Sequence, residues 1–173
     1  RASQLIPLAI GEGYPLGSVV DDAIIYPADH GARVINISFG VAQSAAMDAA
    51  IAYAHDSHAV FFAAAAGNTP VSAVLYPANH PLVVSVPGTN STDSPAHFSV
   101  AGPENWVAAP AKDVTSTTTG NAYATQPGGT SYSAAHVSGV AALCLSVLPT
   151  LRPADIRDIL RITADDIGSP GFD

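Results

Sequence analysis

Four short apolar runs constrain the fold of this chain more than any other feature of its sequence. They are LIPLAI at 5–10, RVINISF at 33–39, VFFAAAA at 60–66 and LVVSV at 82–86. Continuous apolar runs of this length are typical of strands that are buried on both faces. Helix-compatible stretches at about 18–30 and 43–57 separate the first three runs. The pattern therefore predicts βαβ units with right-handed crossovers, and so an α/β fold around a parallel sheet.

The second half of the chain changes from turn residues to helices. Residues 88–128 are rich in Gly, Pro, Ser, Thr and Asn, which predicts surface loops with some antiparallel strand. The helix after Ser131 is apolar nearly all round, so we expect it to run through the middle of the molecule. A last helix is expected from Pro153, a favourable residue in a first helical turn, with Ile156, Ile159 and Leu160 facing inward.

Composition narrows the class of protein. The 173 residues correspond to about one domain, and the 48% hydrophobic and 12% charged content is typical of a globular core rather than of disorder. A net charge of -8 with only six Lys and Arg residues excludes nucleic acid and a polybasic membrane contact as partners. No apolar run approaches the roughly 20 residues of a membrane span. The single Cys144 excludes an internal disulfide and a cysteine-based metal cluster.

The stretch GEGYPLG at 11–17 is a weak match to a dinucleotide-binding turn. Its spacing is wrong, Pro15 interrupts it, and the next strand ends in Ser38, Phe39 and Gly40 without the carboxylate that the fingerprint requires. A nucleotide-binding module remains an alternative, and nucleotide-dependent thermal stabilisation would reveal it.

Two stretches carry residues suited to acyl transfer. GGTSYSAAHVSG at 128–139 places Ser131 at a loop-to-helix junction, where it is a candidate nucleophile if a base accepts its proton. AAAAGN at 63–68 places Asn68 where the chain leaves a buried strand. Its amide is a candidate donor to the oxyanion of a tetrahedral intermediate, with the Ser131 N–H at the helix N-terminus as the second donor.

These stretches resemble the subtilases, the subtilisin-like serine peptidases. GTSYSAAHVSGVAAL is similar to the serine signature G-T-S-x-A-x-P-H-V-x-G, VINISFG to the substrate-binding strand, and FFAAAAGN to the oxyanion-hole strand. YPANHPLVVSV, HFSVAGPENWVAAPA and LRPADIRDILRITADDIG follow the order and spacing of the family, so nearly the whole chain is covered. The resemblance implies a three-layer α/β/α subtilisin-like fold with a mainly parallel sheet, and a secreted serine endopeptidase that acts on peptides or proteins through an acyl-enzyme.

The resemblance also assigns roles. Ser131 is the nucleophile and Asn68 the oxyanion-hole amide, while Thr130 and Gly129 shape the turn before the nucleophile. The substrate-binding residues are Ser38, Phe39 and Gly40 through their backbone, Ala65, Ala66 and Gly67 as pocket walls, and Leu75 as the pocket floor. No cofactor is required for the chemistry and no metal ligand is assigned, although the family allows a structural calcium ion.

Three departures from the family pattern matter for the prediction. Ala135 stands where the signature has proline, and Ala111 where a glycine is expected. The larger departure is that the motifs of the triad aspartate and histidine, D-[ST]-G and H-G-T-H, do not occur, and none of the six histidines is placed to substitute. We therefore expect residues 1–173 to be the C-terminal part of a catalytic domain, truncated at both ends and without the closing helix.

Two consequences follow for function. The chain alone should be almost inactive, and a complementary N-terminal fragment that carries Asp and His is the expected partner. The alternative is a degenerate, non-catalytic subtilase-like domain that keeps the peptide-binding groove for binding or assembly.

Overall fold

A three-stranded parallel sheet lies at the centre of the structure, a computed structural model that describes residues 3–11 and 17–167. Its strands are β1 (Val34–Ile37), β2 (Phe61–Ala65) and β3 (Val84–Val86), paired in that order. The helices are α1 (Gly17–Val20), α2 (Asp22–Asp29), α3 (Ala45–His58), α4 (Thr130–Val147) and α5 (Pro153–Thr163). The strands lie within three of the four predicted runs, and α3 is the crossover between β1 and β2.

Helices cover both faces of this sheet. Phe62 and Ala64 of β2 belong to one buried cluster with residues of α2 and α3, including Ile24 and Ile51. The residues that alternate with them along β2 belong to a second cluster with residues of α4 and α5: Phe61, Ala63 and Ala65. All five residues of β2 are buried, which is why the sequence shows a continuous apolar run there rather than alternation. The predicted three-layer α/β arrangement is confirmed.

The last helix begins at Pro153, as predicted. The Asp155 carboxylate accepts a hydrogen bond from the Arg152 N–H at 2.8 Å, which satisfies one of the free donors at this helix end. Ile156 and Leu160 are buried and Ile159 is half-buried, so the predicted inward face is confirmed.

Residues 88–128 form loops with short strands. β4 (Gly88–Thr89) pairs in parallel with β5 (Ala109–Pro110), and β6 (Val114–Thr118) forms an exposed antiparallel hairpin with β7 (Ala122–Gln126). Ala111, which replaces an expected glycine, is fully buried, and its methyl group occupies the space that a Cβ at Gly88 would need. The extra methyl is thus accommodated by a glycine on the neighbouring strand.

Two predictions from the sequence, a strand at 5–10 and a helix buried on all sides, were wrong. Residues 5–10 do not form a strand, and Leu5 is 89% exposed. The helix α4 is not buried all round: Ala134 and Ala141 are buried, whereas Leu143 is 67% exposed. The physical reason is common to both, because a strand needs a hydrogen-bonding neighbour and an apolar helix face needs a covering element.

Leu5 and Leu143 both border one groove. It has a volume of about 940 Å³ and lies between residues 3–10, α2, β1 and α4. On this side of β1, no further strand pairs with the sheet in the described part of the chain.

Within residues 3–11 and 17–167, no helix combines the length and apolar character needed to cross a membrane. The central residues of GEGYPLG, 12–16, and residues 168–173 lie outside the described residues.

Candidate active site

Ser131 lies in the first turn of α4, directly after a double-glycine turn. Gly128 has φ +137°, a conformation that residues with a Cβ rarely adopt, and a Cβ there would lie 2.7 Å from the Phe98 ring. The turn therefore requires glycine for both backbone and packing. Ser131 is half-buried at the helix N-terminus.

Asn68 is fixed in one orientation by Thr130. The Thr130 N–H and hydroxyl both donate to Asn68 Oδ1, at 2.8 and 3.0 Å. Because both donors bind the oxygen, Asn68 Nδ2 points away from Thr130. Ser131 Oγ and Asn68 Nδ2 lie 3.1 and 3.5 Å from the point where a Cβ on Gly129 would stand. The candidate nucleophile and the candidate amide donor therefore border the same small space.

Thr130 also joins the sheet to α4. It is fully buried, and its Oγ1 accepts a hydrogen bond from the Gly67 N–H at 3.1 Å. Gly67 has φ +126°, which turns the chain out of the strand just before Asn68. One threonine side chain thus sets the positions of both sequence-predicted oxyanion residues, a role that the sequence pattern alone did not reveal.

The Ser131 N–H at the start of α4 is the second candidate donor. The Thr130 N–H is bound to Asn68 and the Tyr132 N–H to the Gly129 carbonyl at 3.1 Å. The Ser131 N–H lies between them, in the first turn, where helix geometry provides no intrahelical acceptor. It is available to a negatively charged ligand, and the helix dipole favours such a ligand.

The predicted substrate-binding strand follows β1 and contacts the nucleophile. The Ser38 hydroxyl donates to the Ser131 carbonyl oxygen at 2.9 Å. Phe39 and Gly40 continue the chain past this contact, and both are half-buried.

Leu75 lies between Gly40, which follows β1, and Gly67, which follows β2. Its Cδ1 is 2.9 Å from the position of a Cβ on Gly40, and its Cγ is 3.1 Å from that of a Cβ on Gly67. The Leu75 N–H donates to the Ala66 carbonyl at 2.9 Å, which fixes this part of the loop against β2. Ala65 and Ala66 are buried beside it. The structure therefore brings the predicted pocket walls and the predicted floor residue together.

Tyr76, which follows Leu75, is held by two hydrogen bonds. Its hydroxyl donates to Asp48 of α3 at 2.9 Å, and burial together with this hydrogen bond raises the pKa of Tyr76. Its carbonyl accepts a hydrogen bond from the Val41 N–H at 2.9 Å. The loop that carries Leu75 is thus held both to α3 and to the segment after Gly40.

His80 packs beside this anchor in its neutral form. Its side chain is 13% exposed, and burial lowers its pKa, an effect that the carboxylate of Asp48 at 3.8 Å partly offsets. The Leu82 N–H donates to His80 Nδ1 at 3.2 Å, which requires that nitrogen to be unprotonated.

The described histidines are engaged away from the nucleophile. Their contacts are with Tyr26 (His30), Asp56 (His55), Asp29 (His58), Asp48 and Leu82 (His80), Phe98 (His97) and Tyr132 (His136). None of these contacts involves Ser131. Within the described residues there is also no group of three or more His, Cys, Asp or Glu side chains that could hold a metal ion.

Sequence reasoning missed two polar residues that support the site, Asn36 and Ser138. Asn36 and Ser138 belong to a hydrogen-bond line that ends at the Ser131 carbonyl. The buried Ser133 hydroxyl lies outside this line and donates to the Ala109 carbonyl at 2.9 Å. The available signal was weak: Ser133 and Ser138 are hydroxyl groups within an otherwise apolar helix sequence, where such groups need a partner.

Comparisons with known proteins agree with this geometry. The sequence model of the Subtilase family matches residues 2–173. The chain is 40% identical to the thermophilic serine proteinase of Bacillus sp. (strain AK1) over 155 residues, which are 89% of this chain and 38% of that protein. It is 39% identical over 170 residues to the halolysin-like extracellular serine protease Nep of Natrialba magadii, covering 97% of this chain and 31% of that protein.

A solved structure supports the same assignment. That of the prenylagaramide maturation protease PagA superposes with a TM-score of 0.84 at 26% identity, covering 97% of this chain and 65% of the other. The chain spans 38% of the length of the Bacillus sp. proteinase and 31% of that of Nep, less than two thirds of either. With a family match over residues 2–173, the chain belongs to the subtilase family of serine peptidases.

Proposed function

We propose that this chain supplies the nucleophile, the oxyanion hole and the substrate-binding strand of a secreted serine endopeptidase. One observation carries the proposal: Ser131 Oγ and Asn68 Nδ2 lie within 3.5 Å of a common point, and Thr130 locks the orientation of the amide. Extracellular location is proposed by analogy with relatives such as the extracellular protease Nep.

The reaction is acyl transfer to water. Ser131 Oγ attacks the carbonyl carbon of the peptide bond and gives its proton to a histidine. The oxyanion binds to Asn68 Nδ2 and the Ser131 N–H while the C–N bond breaks and the amine leaves with that proton. Water then hydrolyses the acyl-enzyme. The substrate lies as an added strand along Ser38, Phe39 and Gly40, and its side chain before the cleaved bond enters the pocket of Ala65, Ala66, Gly67 and Leu75.

The histidine and its orienting aspartate come from a complementary polypeptide portion, encoded in the same reading frame or on a separate chain. The support for this partner is the groove beside β1, together with the exposed apolar side chains of Leu5, Leu143 and Val147. A portion that pairs with β1 and covers α4 would remove an open sheet edge and an apolar helix face from water. We call the two portions together the complete catalytic unit.

Association is tested by charge substitution in the groove. Leu143→Glu should abolish co-purification of the complementary portion, because a carboxylate would be buried at the interface without a partner. Ile162→Glu is the matched control, since Ile162 on α5 is 74% exposed and does not line the groove. Equal loss of association in both variants would refute the assignment of the groove.

Catalysis is tested on the complete catalytic unit with a fluorophosphonate probe and a peptide substrate. The probe should label Ser131, and Ser131→Ala should remove both labelling and peptide cleavage. Asn68→Ala should leave labelling detectable but lower kcat, by about 10²–10³-fold if it behaves as the equivalent donor does in subtilisin. A complete unit that binds peptide but neither labels nor cleaves would instead establish the non-catalytic binding domain.

A further inference from the structure

A line of polar side chains runs from the interior of α4 to the carbonyl group of the nucleophile. The Ser138 hydroxyl donates to Asn36 Oδ1 at 3.2 Å, and Asn36 Nδ2 donates to Ser38 Oγ at 2.8 Å. The Ser38 hydroxyl donates to the Ser131 carbonyl oxygen at 2.9 Å. Each hydroxyl has a single proton, so both protons in this line are committed in one direction, toward Ser131.

The last bond of this line acts on the backbone of the nucleophile. In an α-helix the Ser131 carbonyl accepts the N–H of Ala135, and here it also accepts the Ser38 hydroxyl. The two donors fix the peptide plane that follows Ser131, and this plane sets the direction in which the first helical turn presents Oγ.

The line also joins two parts of the proposed reaction site. Ser38 belongs to the substrate-binding strand, whereas Ser131 lies 93 residues later, on α4. A bond between them sets the distance from the bound peptide to the attacking oxygen. Attack on a carbonyl is sensitive to this distance, and a displacement of about 1 Å can lower the rate on the order of 10²-fold.

We infer that Asn36 and Ser138 are positioning residues, which act through the Ser38 hydroxyl to hold the nucleophile against the substrate strand. This inference rests on the proposed function. Ser138 is 9% exposed at the wall of the groove, and its hydroxyl uses Asn36 Oδ1 as its acceptor. Asn36 is exposed in the described structure, beside the groove.

The test uses the complete catalytic unit and the rate of reaction with a fluorophosphonate probe. Ser138→Ala should lower the limiting labelling rate, kinact, by about three- to tenfold, the equivalent of one net hydrogen bond, with the probe affinity KI unchanged. Ser138→Thr, which keeps the hydroxyl, should restore the rate. Asn36→Ala should match Ser138→Ala, and the double variant should be no slower than either, because both remove one line.

Ser133→Ala is the matched control. Ser133 is a fully buried serine on the same helix, but its hydroxyl donates to the Ala109 carbonyl rather than toward Ser131. It should lower the Tm as much as Ser138→Ala does and leave kinact unchanged. If Ser138→Ala does not fold, Asn36→Ala, which interrupts the same line at its next member, gives the same comparison.

Different outcomes would overturn the positioning role and the proposed function. A wild-type kinact in Ser138→Ala or Asn36→Ala, an equal loss in Ser133→Ala, or additive losses in the double variant would overturn the positioning role. Labelling that persists in Ser131→Ala, or that never occurs in the unmodified unit, would refute the proposed function itself.

Discussion

Replacing Leu75 should change which peptide bonds the complete catalytic unit cleaves. The Leu75 side chain fills the space between Gly40 and Gly67, with Cδ1 and Cγ only 2.9 and 3.1 Å from where Cβ atoms on these glycines would stand. The residues named around the pocket are apolar and uncharged, so a lysine or arginine side chain would lose its hydration without gaining a partner. The wild-type pocket should therefore prefer small to medium apolar side chains such as Ala, Val or Leu.

The size of the effect follows from the space that Leu75→Gly opens. Four carbon atoms leave, and about 0.8 kcal/mol per buried methylene sets an upper value of about 3 kcal/mol for a larger substrate side chain. Leu75 is 39% exposed, so part of the opened space remains in contact with water. We therefore expect about 2 kcal/mol, which corresponds to a roughly 30-fold rise in the ratio of Phe to Ala cleavage.

The assay compares kcat/KM for peptides that differ only in Ala, Leu, Phe or Lys before the cleaved bond. Val71→Gly is the matched control, because Val71 lies on the same loop but is 96% exposed, so it tests the effect of a flexible glycine alone. The reasoning fails if Lys is the best wild-type substrate. It also fails if Leu75→Gly leaves the Phe to Ala ratio unchanged, or if Val71→Gly shifts it as far.

Three further measurements test the site and its supports. Peptide cleavage by the chain without its complementary portion should be lower by up to about 10⁶-fold, as measured for loss of triad residues in subtilisin, and ordinary protease rates from the isolated chain would refute the missing-base argument. In thermal unfolding, Gly128→Ala should lower the Tm by at least about 4 °C, because φ +137° and the Phe98 ring both oppose a Cβ at this position. Gly139→Ala is the control: no atom lies within 4 Å of its added Cβ, so it should raise the Tm slightly. Burial lowers the pKa of His80 in the folded state, so its stabilising contribution is complete above about pH 6.5 and is lost as the pH falls toward the folded pKa. His80→Asn should therefore flatten the pH dependence of the Tm in this range. An unchanged profile would contradict this role of His80.

The sheet and the proposed oxyanion pair could be predicted from sequence because each depends on short-range patterns. β2 is buried on both faces, and burial of this kind appears directly as an unbroken apolar run. Asn68 follows that run, and Ser131 begins an apolar helix, so both fall at element ends that a parallel fold places at the same edge of the sheet. The closeness of Ser131 Oγ and Asn68 Nδ2 then follows from the fold, without knowledge of any side-chain contact.

The supports of the site could not be predicted in this way. Asn36 and Ser138 are 102 residues apart in sequence, and their hydrogen bond exists only because α4 packs over β1. Thr130 could be read as a turn residue, but its two bonds to Asn68 and its bond from Gly67 depend on where the end of β2 lies. A side-chain hydrogen bond between distant elements depends on their packing, and the identities of the two residues do not determine it.

The error at residues 5–10 has a different cause. LIPLAI has the composition of a buried strand, and the expectation of a strand assumed that its hydrogen-bonding neighbour was present. In the described structure this segment borders the groove beside β1, and the apolar side chain of Leu143 borders the same groove from α4. Apolar side chains therefore border this groove from both sides. The same feature that made the prediction wrong is therefore the one that supports a complementary polypeptide portion at this edge of the sheet.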